Sequence, residues 1–122
     1  MRKSILLVDA SPHTRHALRT LFETLSPFEI CGEAETGVEA IAKIDEFHPD
    51  LLVLDFSLPV MNGIEVARRL RAARSSIQII LFTWDADVFP THFASDLRLT
   101  VVPKGVIGNV LVRVASALLE QN

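Results

Sequence analysis

The sequence predicts an α/β fold in which one five-stranded parallel sheet carries helices on both faces. Short apolar runs alternate along the chain with longer stretches in which apolar residues recur every three or four positions. The apolar runs lack the two-residue alternation of a sheet with one wet face, which favours strands that are buried on both faces. Helices must then cover both faces of that sheet.

Three strands and two helices are predicted in the first half of the chain. Ser11 is a suitable N-cap for the first helix, and Pro12 fits its first turn. The apolar stripe of this helix is predicted to be Ala17, Leu18, Leu21, Phe22 and Leu25. The predicted elements are a strand over 5–9, a helix from 12 to Pro27, a strand over 28–34, a helix from Thr36 to just before Pro49, and a strand over 51–55.

The second half continues the alternation. It is predicted to contain a helix over 64–74, a strand over 77–83, a helix over 87–96 with Pro90 inside it, a strand over 99–102 and a closing helix over 106–122. The third helix carries four arginines that we expect on a solvated outer face: Arg68, Arg69, Arg71 and Arg74.

Length and composition limit the function classes. A chain of 122 residues is expected to form a single domain over 1–122. A net charge of −3 argues against a nucleic-acid surface on this chain, and the apolar runs are too short to span a membrane. Cys31 is the only cysteine, so no internal disulfide can form, which is consistent with a cytoplasmic location.

Polar side chains follow four of the five predicted strands. Asp9, Asp55 and Thr83 end strands one, three and four, and Lys104 comes shortly after the fifth. Because the carboxyl ends of parallel strands share one edge of the sheet, we expect these four side chains to lie together there. Each has an ordinary explanation alone, as a turn former, a strand residue or a solvated lysine, so the hypothesis of a site depends on the set.

These residues carry a resemblance to a known family. "ILLVD" with "SPHTRHAL", then "PDLLVLDFSLPVMNGIEVARRLR", "IILFT" and "VVPK", resembles the receiver domain of bacterial two-component response regulators over essentially the whole chain. The resemblance implies a flavodoxin-like (βα)5 fold with strand order 2-1-3-4-5. The S-P-x-x-R start of the first helix resembles receivers that precede helix-turn-helix output domains.

The resemblance also implies the chemistry. Asp55 would accept a phosphoryl group from a histidine kinase, with Thr83 and Lys104 contacting the transferred group. Mg²⁺ would be held by Asp9, Asp55 and the backbone carbonyl of Ser57. Pro59 and Gly63 would shape the loop after Asp55.

Three positions depart from the family pattern. Receivers normally carry a second acid where this chain has Ala10, so we expect weak Mg²⁺ binding. Val101 stands where many receivers have the tyrosine or phenylalanine that reports activation, and Gly105 stands where proline is common. Trp84, next to Thr83, is expected to be partly buried packing.

Two functions remain open. The chain is either a phosphoacceptor receiver, or a pseudo-receiver that binds proteins and carries out little metal-dependent phosphorylation because of Ala10. Neither is an enzyme in its own right. A flavin-binding protein of this architecture is disfavoured because "DASPHT" lacks a phosphate-cradling glycine loop. The implied partner is a histidine kinase or phosphotransfer protein docking near the first helix. Family analogy also allows a homodimer through the last two helices and strand. No membrane contact is expected, because the apolar runs are too short to span a bilayer.

Overall fold

The structure is a computed structural model that describes residues 2–84, 86–88, 91–106 and 108–120. Strands and helices alternate in chain order, as predicted. The strands are β1 Ser4–Val8, β2 Glu29–Ala34, β3 Leu51–Leu54, β4 Gln78–Thr83 and β5 Leu99–Pro103. The helices are α1 Pro12–Leu25, α2 Gly37–Phe47, α3 Gly63–Ala72, α4 Thr91–Leu97 and α5 Gly108–Leu119.

All five strands form one parallel sheet in the order β2-β1-β3-β4-β5. The predicted flavodoxin-like fold and strand order are therefore confirmed. Side chains of β1 alternate between two cores: Ile5 and Leu7 pack with residues of α1 and α5, whereas Leu6 and Val8 pack with residues of α2 and α3. The absence of polar alternation in the strands follows from this, since both faces are covered.

The helices begin where the sequence provides caps. The Ser11 hydroxyl accepts a hydrogen bond from the Thr14 N–H at 3.2 Å, and Pro12 occupies the first turn of α1. Thr36 caps α2 in the same way, through the Glu39 N–H. At the start of α3, Asn62 and Glu65 form a reciprocal capping box.

The predicted helix over 87–96 is wrong as a single element. The chain forms a short 3₁₀ turn at Ala86–Val88 and then the seven-residue α4. Pro90 lies outside the described residues, as do Ile107 and the last two residues of the predicted closing helix.

Three predicted side-chain environments also differ from the structure. Ala17 and Leu25 of the α1 stripe are exposed, Leu25 to 52%, because only Leu18 and Phe22 of this helix are fully covered. Trp84 is 74% exposed and not partly buried. The Arg71 side chain is half-buried, and its guanidinium donates to the carbonyls of Leu97, Ser75, Ile77 and Arg98 at 2.8–3.2 Å, so it joins the end of α3 to the α4–β5 junction.

Val60 occupies a strained position in the loop between β3 and α3. Its φ of 66° is unfavourable for a β-branched residue, its side chain is 97% exposed, and the Met61 N–H donates to the Pro59 carbonyl across it at 2.7 Å. We expect Val60→Gly to raise the free energy of unfolding by about 1 kcal/mol, since the strain is relieved and no packing is lost. Urea unfolding followed by circular dichroism measures this.

Val38→Gly is the matched control for this prediction. Val38 is also an exposed valine, but it lies in the first turn of α2 with ordinary helical backbone. Glycine there is expected to lower stability by about 0.5–1 kcal/mol. Equal destabilisation by the two substitutions would show that the Val60 backbone stores no strain.

Candidate functional site

The carboxyl edge of the sheet brings two acids and one ammonium into contact. Asp9 follows β1, Asp55 follows β3 and Lys104 follows β5. The Lys104 Nζ lies 2.8 Å from Asp9 Oδ2 and 3.3 Å from Asp55 Oδ1. All three side chains are less than one-tenth exposed. The three residues that the sequence places far apart therefore form one ion-paired cluster.

Backbone hydrogen bonds fix these residues to the sheet. The Asp9 N–H donates to the Ala34 carbonyl at 3.0 Å, and the Asp55 N–H donates to the Val8 carbonyl at 2.9 Å. The Lys104 N–H donates to the Thr83 carbonyl at 3.0 Å. Thr83 itself is buried at the end of β4, at the same edge of the sheet.

The loop after Asp55 is held close to the site by Gly63. A β-carbon at position 63 would lie 2.5 Å from the Asp55 carbonyl oxygen and 3.0 Å from the Phe56 Cα. The Gly63 N–H also donates to the Phe56 carbonyl at 2.9 Å. Only glycine allows this approach, which explains why the loop between a buried acid and the next helix ends in this residue.

The surroundings of the Asp55 carboxyl shift its pKa. Burial raises the pKa of its carboxyl above the ordinary value, and the nearby Asp9 carboxylate acts in the same direction. The Lys104 ammonium and a hydrogen bond from the Ser57 backbone oppose the rise without cancelling it. The carboxylate is thus less well solvated than a surface carboxylate, a condition that suits a nucleophile.

The raised pKa has a consequence for stability. Because the folded protein holds the Asp55 proton more tightly than the unfolded chain, ionisation destabilises the fold as pH rises from the unfolded pKa through the folded one. Lys104 keeps Asp9 as its ion-pair partner when Asp55 is neutralised, so we expect Asp55→Asn to raise the free energy of unfolding at pH 7 by about 1 kcal/mol. The gain should shrink towards pH 4, because the carboxyl then becomes protonated in the folded protein and begins to be protonated in the unfolded chain.

Urea titrations of wild type and variant between pH 4 and pH 8 measure this effect. Asp45→Asn removes an exposed carboxylate from α2 and serves as the control, with an expected change within about 0.5 kcal/mol. A pH-independent difference between wild type and Asp55→Asn would contradict the assigned cause.

The cluster fits a divalent cation only in part. Asp9 and Asp55 supply carboxylate oxygens, the ligands that Mg²⁺ prefers. However, Asp9 Oδ1 already accepts the Ser11 N–H at 2.8 Å, and Oδ2 accepts Lys104. Ala10 is exposed and contributes no oxygen. Within the part of the chain that the structure describes, no three His, Cys, Asp or Glu side chains are grouped closely enough to hold a metal ion.

Two residues at the site were missed from the sequence. The Arg15 guanidinium donates to the Asp9 backbone carbonyl and to Glu33. The sequence signal was present in S-P-x-x-R, but a contact back to Asp9 depends on the turn geometry. Phe82 places its ring centroid 5.9 Å from the Lys104 Nζ, a cation–π contact that a buried strand residue does not suggest.

A mainly apolar groove of about 440 Å³ adjoins the cluster. Ala17 and Leu21 of α1 line one wall, and Phe82 and Trp84 at the end of β4 line another. Lys104 belongs both to this groove and to the ion-paired cluster. The groove therefore reaches the ion-paired cluster through Lys104.

No helix among the described residues is long and apolar enough to cross a membrane. The absence of nucleic-acid contact and the homodimer remain predictions.

Comparison with known proteins identifies the family. Residues 5–102 match the model of the response regulator receiver domain. A chemotaxis protein CheY of Halobacterium salinarum is 40% identical over 83 residues, which are 68% of each protein. The transcriptional regulatory protein YdfI of Bacillus subtilis is 35% identical over 68% of this chain, but the match spans only 39% of that longer protein.

Solved structures agree with this assignment. A LuxR-family two-component response regulator from Aurantimonas has a TM-score of 0.88 at 28% identity, covering 98% of this chain and 86% of that one. A CheX–CheY–BeF3–Mg complex from Borrelia burgdorferi has a TM-score of 0.87 at 20% identity, covering 95% of this chain and 88% of that one, and so shows the fold alone. Together with the acids and lysine at the sheet edge, these matches show that the chain belongs to the response regulator receiver domain family of two-component signalling.

Proposed function

We propose that this domain accepts a phosphoryl group on Asp55 from a phosphohistidine of a two-component partner. The observation that carries the proposal is the Lys104 ammonium, which lies within hydrogen-bonding range of Asp9 and 3.3 Å from the Asp55 carboxylate. A cation beside a buried carboxylate can bind the phosphoryl oxygens as they approach. The domain would act in the cytoplasm as a switch for other proteins.

The reaction transfers a phosphoryl group from the imidazole nitrogen of the donor histidine to the carboxylate of Asp55. An Asp55 carboxylate oxygen attacks the phosphorus, the bond from phosphorus to the donor nitrogen breaks, and the imidazole leaves and takes a proton from solvent. Lys104 then exchanges part of its contact with the two carboxylates for a contact with the phosphoryl oxygens. Thr83, at the same edge, is proposed to donate its hydroxyl proton to the arriving group.

Asp9, Asp55 and the Ser57 carbonyl are the residues that we propose hold Mg²⁺. When bound, the ion supplies positive charge that neutralises the transferred group. Because Asp9 already contacts Ser11 and Lys104, and Ala10 supplies no oxygen, we propose that the ion binds weakly.

A pseudo-receiver role is the second candidate, and Ala10 is the observation that favours it. Here the domain would bind partners without efficient phosphorylation. Incubation with acetyl phosphate at graded Mg²⁺, followed by mass spectrometry of the peptide containing Asp55, distinguishes the two. Phosphate on Asp55 that is lost in Asp55→Asn supports the first proposal. No phosphate on Asp55 at saturating Mg²⁺ supports the pseudo-receiver.

The groove beside α1 is the surface on which we propose that the partner docks. We expect Ala17→Arg, which introduces a charged side chain into the groove wall, to slow transfer from a phosphorylated partner protein by about tenfold or more. Transfer from acetyl phosphate should stay unchanged, because a small donor does not need this surface. Equal slowing with both donors would show that the substitution disturbs the site and not the docking surface.

A further inference from the structure

We propose that Arg15 is a positioning residue that holds Asp9, and through it Lys104, in place for the reaction at Asp55. This inference rests on the proposed function for its role in phosphotransfer. Its structural basis is the turn between β1 and α1, where one guanidinium reaches back from the first turn of the helix to the residue that ends the strand.

All four polar groups of Asp9 have a protein partner. Its N–H donates to the Ala34 carbonyl, its Oδ1 accepts the Ser11 N–H, and its Oδ2 accepts the Lys104 ammonium. The fourth group, the backbone carbonyl, accepts the Arg15 guanidinium. The contacts from β2, the α1 turn and Lys104 thus meet at one residue, and Arg15 fixes the peptide group between Asp9 and Ala10.

The Arg15 guanidinium is itself held from the other side. Its Nε donates to Glu33 Oε1 at 3.0 Å, and its side chain is only 14% exposed. Glu33 is shared, because Arg19 Nε donates to its other oxygen at 2.7 Å. Burial would raise the pKa of the Glu33 carboxyl, but the hydrogen bonds from Arg19 and Arg15 outweigh it and lower the pKa. Glu33 therefore stays ionised and keeps Arg15 oriented.

The importance of this contact follows from the missing acid at Ala10. With two acids only, the Lys104 ammonium depends on Asp9 and Asp55 for its position. If the Asp9–Ala10 peptide rotates, the Asp9 carboxylate moves and Lys104 loses its 2.8 Å contact. Within the ion-paired cluster, the described contact of Arg15 is with the Asp9 backbone carbonyl, so we assign it a positioning role and not a catalytic one.

Arg19 provides a matched control. It lies one turn further along α1 and shares Glu33 with Arg15, but its described contacts are with Glu33 and Glu23 and not with Asp9. Arg15→Met and Arg19→Met each remove one guanidinium from Glu33. Only Arg15→Met releases the Asp9 carbonyl.

The experiment measures the reactivity of the Lys104 amine in the metal-free protein. Wild type, Arg15→Met, Arg19→Met and Arg15→Lys are treated briefly with an amine-acetylating reagent, and acetylation at Lys104 is quantified by mass spectrometry relative to the exposed Lys3. We expect Arg15→Met to raise the relative rate at Lys104 about tenfold, the effect of losing one charge-assisted hydrogen bond. Arg19→Met should match wild type.

Arg15→Lys tests the geometry and covers the case in which Arg15→Met fails to fold. Arginine contacts Glu33 and the Asp9 carbonyl with two different nitrogens of its guanidinium. Lysine keeps the positive charge but has a single nitrogen, so we expect an acetylation rate at Lys104 between those of wild type and Arg15→Met. Unchanged Lys104 reactivity in the folded Arg15 variants, or an equal rise in Arg19→Met, overturns the proposal.

Phosphorylation of Asp55 by acetyl phosphate is measured separately on the same proteins. One outcome is that Arg15→Met raises the reactivity of Lys104 while the wild-type protein takes no phosphate. This outcome would support the Arg15 contact with Asp9 and refute the proposed phosphotransfer. If wild type takes phosphate and Arg15→Met takes it at the wild-type rate, Arg15 has no positioning role in the reaction. A phosphorylation rate that is reduced in Arg15→Met and unchanged in Arg19→Met supports both the phosphotransfer function and the positioning role of Arg15.

Discussion

Ala10→Asp is expected to increase the affinity for Mg²⁺ by about 10- to 100-fold. The substitution adds one hard oxygen ligand beside Asp9. In the wild-type cluster the two carboxylates of Asp9 and Asp55 share the single Lys104 ammonium, so its net charge is −1. A third carboxylate changes this charge to −2. Ala10 is exposed, so the larger side chain has room. Isothermal titration calorimetry measures the affinity, and acetyl phosphate labelling at limiting Mg²⁺ should rise in parallel.

Ala10→Asn separates charge from ligand number. It supplies a neutral oxygen in a side chain of the same size, and we expect it to recover only a small part of the gain because Mg²⁺ binding depends on carboxylate charge. The third acid should also lower the stability of the metal-free protein, and Mg²⁺ should restore it by mass action. Equal Mg²⁺ affinity in wild type and Ala10→Asp would mean that Ala10 does not limit metal binding.

Lys104→Met is expected to lower the free energy of unfolding by about 3 kcal/mol at pH 7. Removing the ammonium leaves the buried Asp9 and Asp55 carboxylates facing each other without a cation. Like charges in a buried site raise the pKa of a carboxyl, so the loss should grow as pH rises and shrink towards pH 4. Urea unfolding at several pH values measures both the size and the sign.

A double-mutant cycle isolates the cause. In an Asp55→Asn background, Lys104→Met should be less destabilising, because only one unpaired carboxylate remains. Lys3→Met, at an exposed position, is expected to change stability by less than about 0.5 kcal/mol. A loss that is the same at pH 4 and pH 8 would indicate missing apolar packing of the lysine stem instead of unpaired charge.

The sheet could be predicted because its strands are buried on both faces. Runs such as "LLVL" at Leu51–Leu54 are apolar without alternation, and a parallel sheet under two helical layers is the arrangement that requires this. The convergence of Asp9, Asp55 and Lys104 followed from the parallel direction of the strands alone. Local sequence and the direction of the chain were sufficient for both.

The errors arose where a side chain's surroundings depend on distant parts of the chain. Arg71 is bound by carbonyls of the α3–β4 connection and by those of Leu97 and Arg98, about 26 residues away. The helical period of α3 places it on the outer face and cannot show these acceptors. Ala17 and Leu25 fit the apolar period of α1, but both lie on its solvent-exposed side, and the buried residues of this helix are Leu18 and Phe22.

The exposed indole of Trp84 determines what optical spectroscopy can detect in this protein. It is the chain's single tryptophan, and its ring already lies largely in water in the folded state. Its emission wavelength should therefore shift little on unfolding, and fluorescence would be a poor measure of global stability. Because the ring neighbours Thr83 and shares a groove with Lys104, changes in its intensity would instead report events at the carboxyl edge of the sheet.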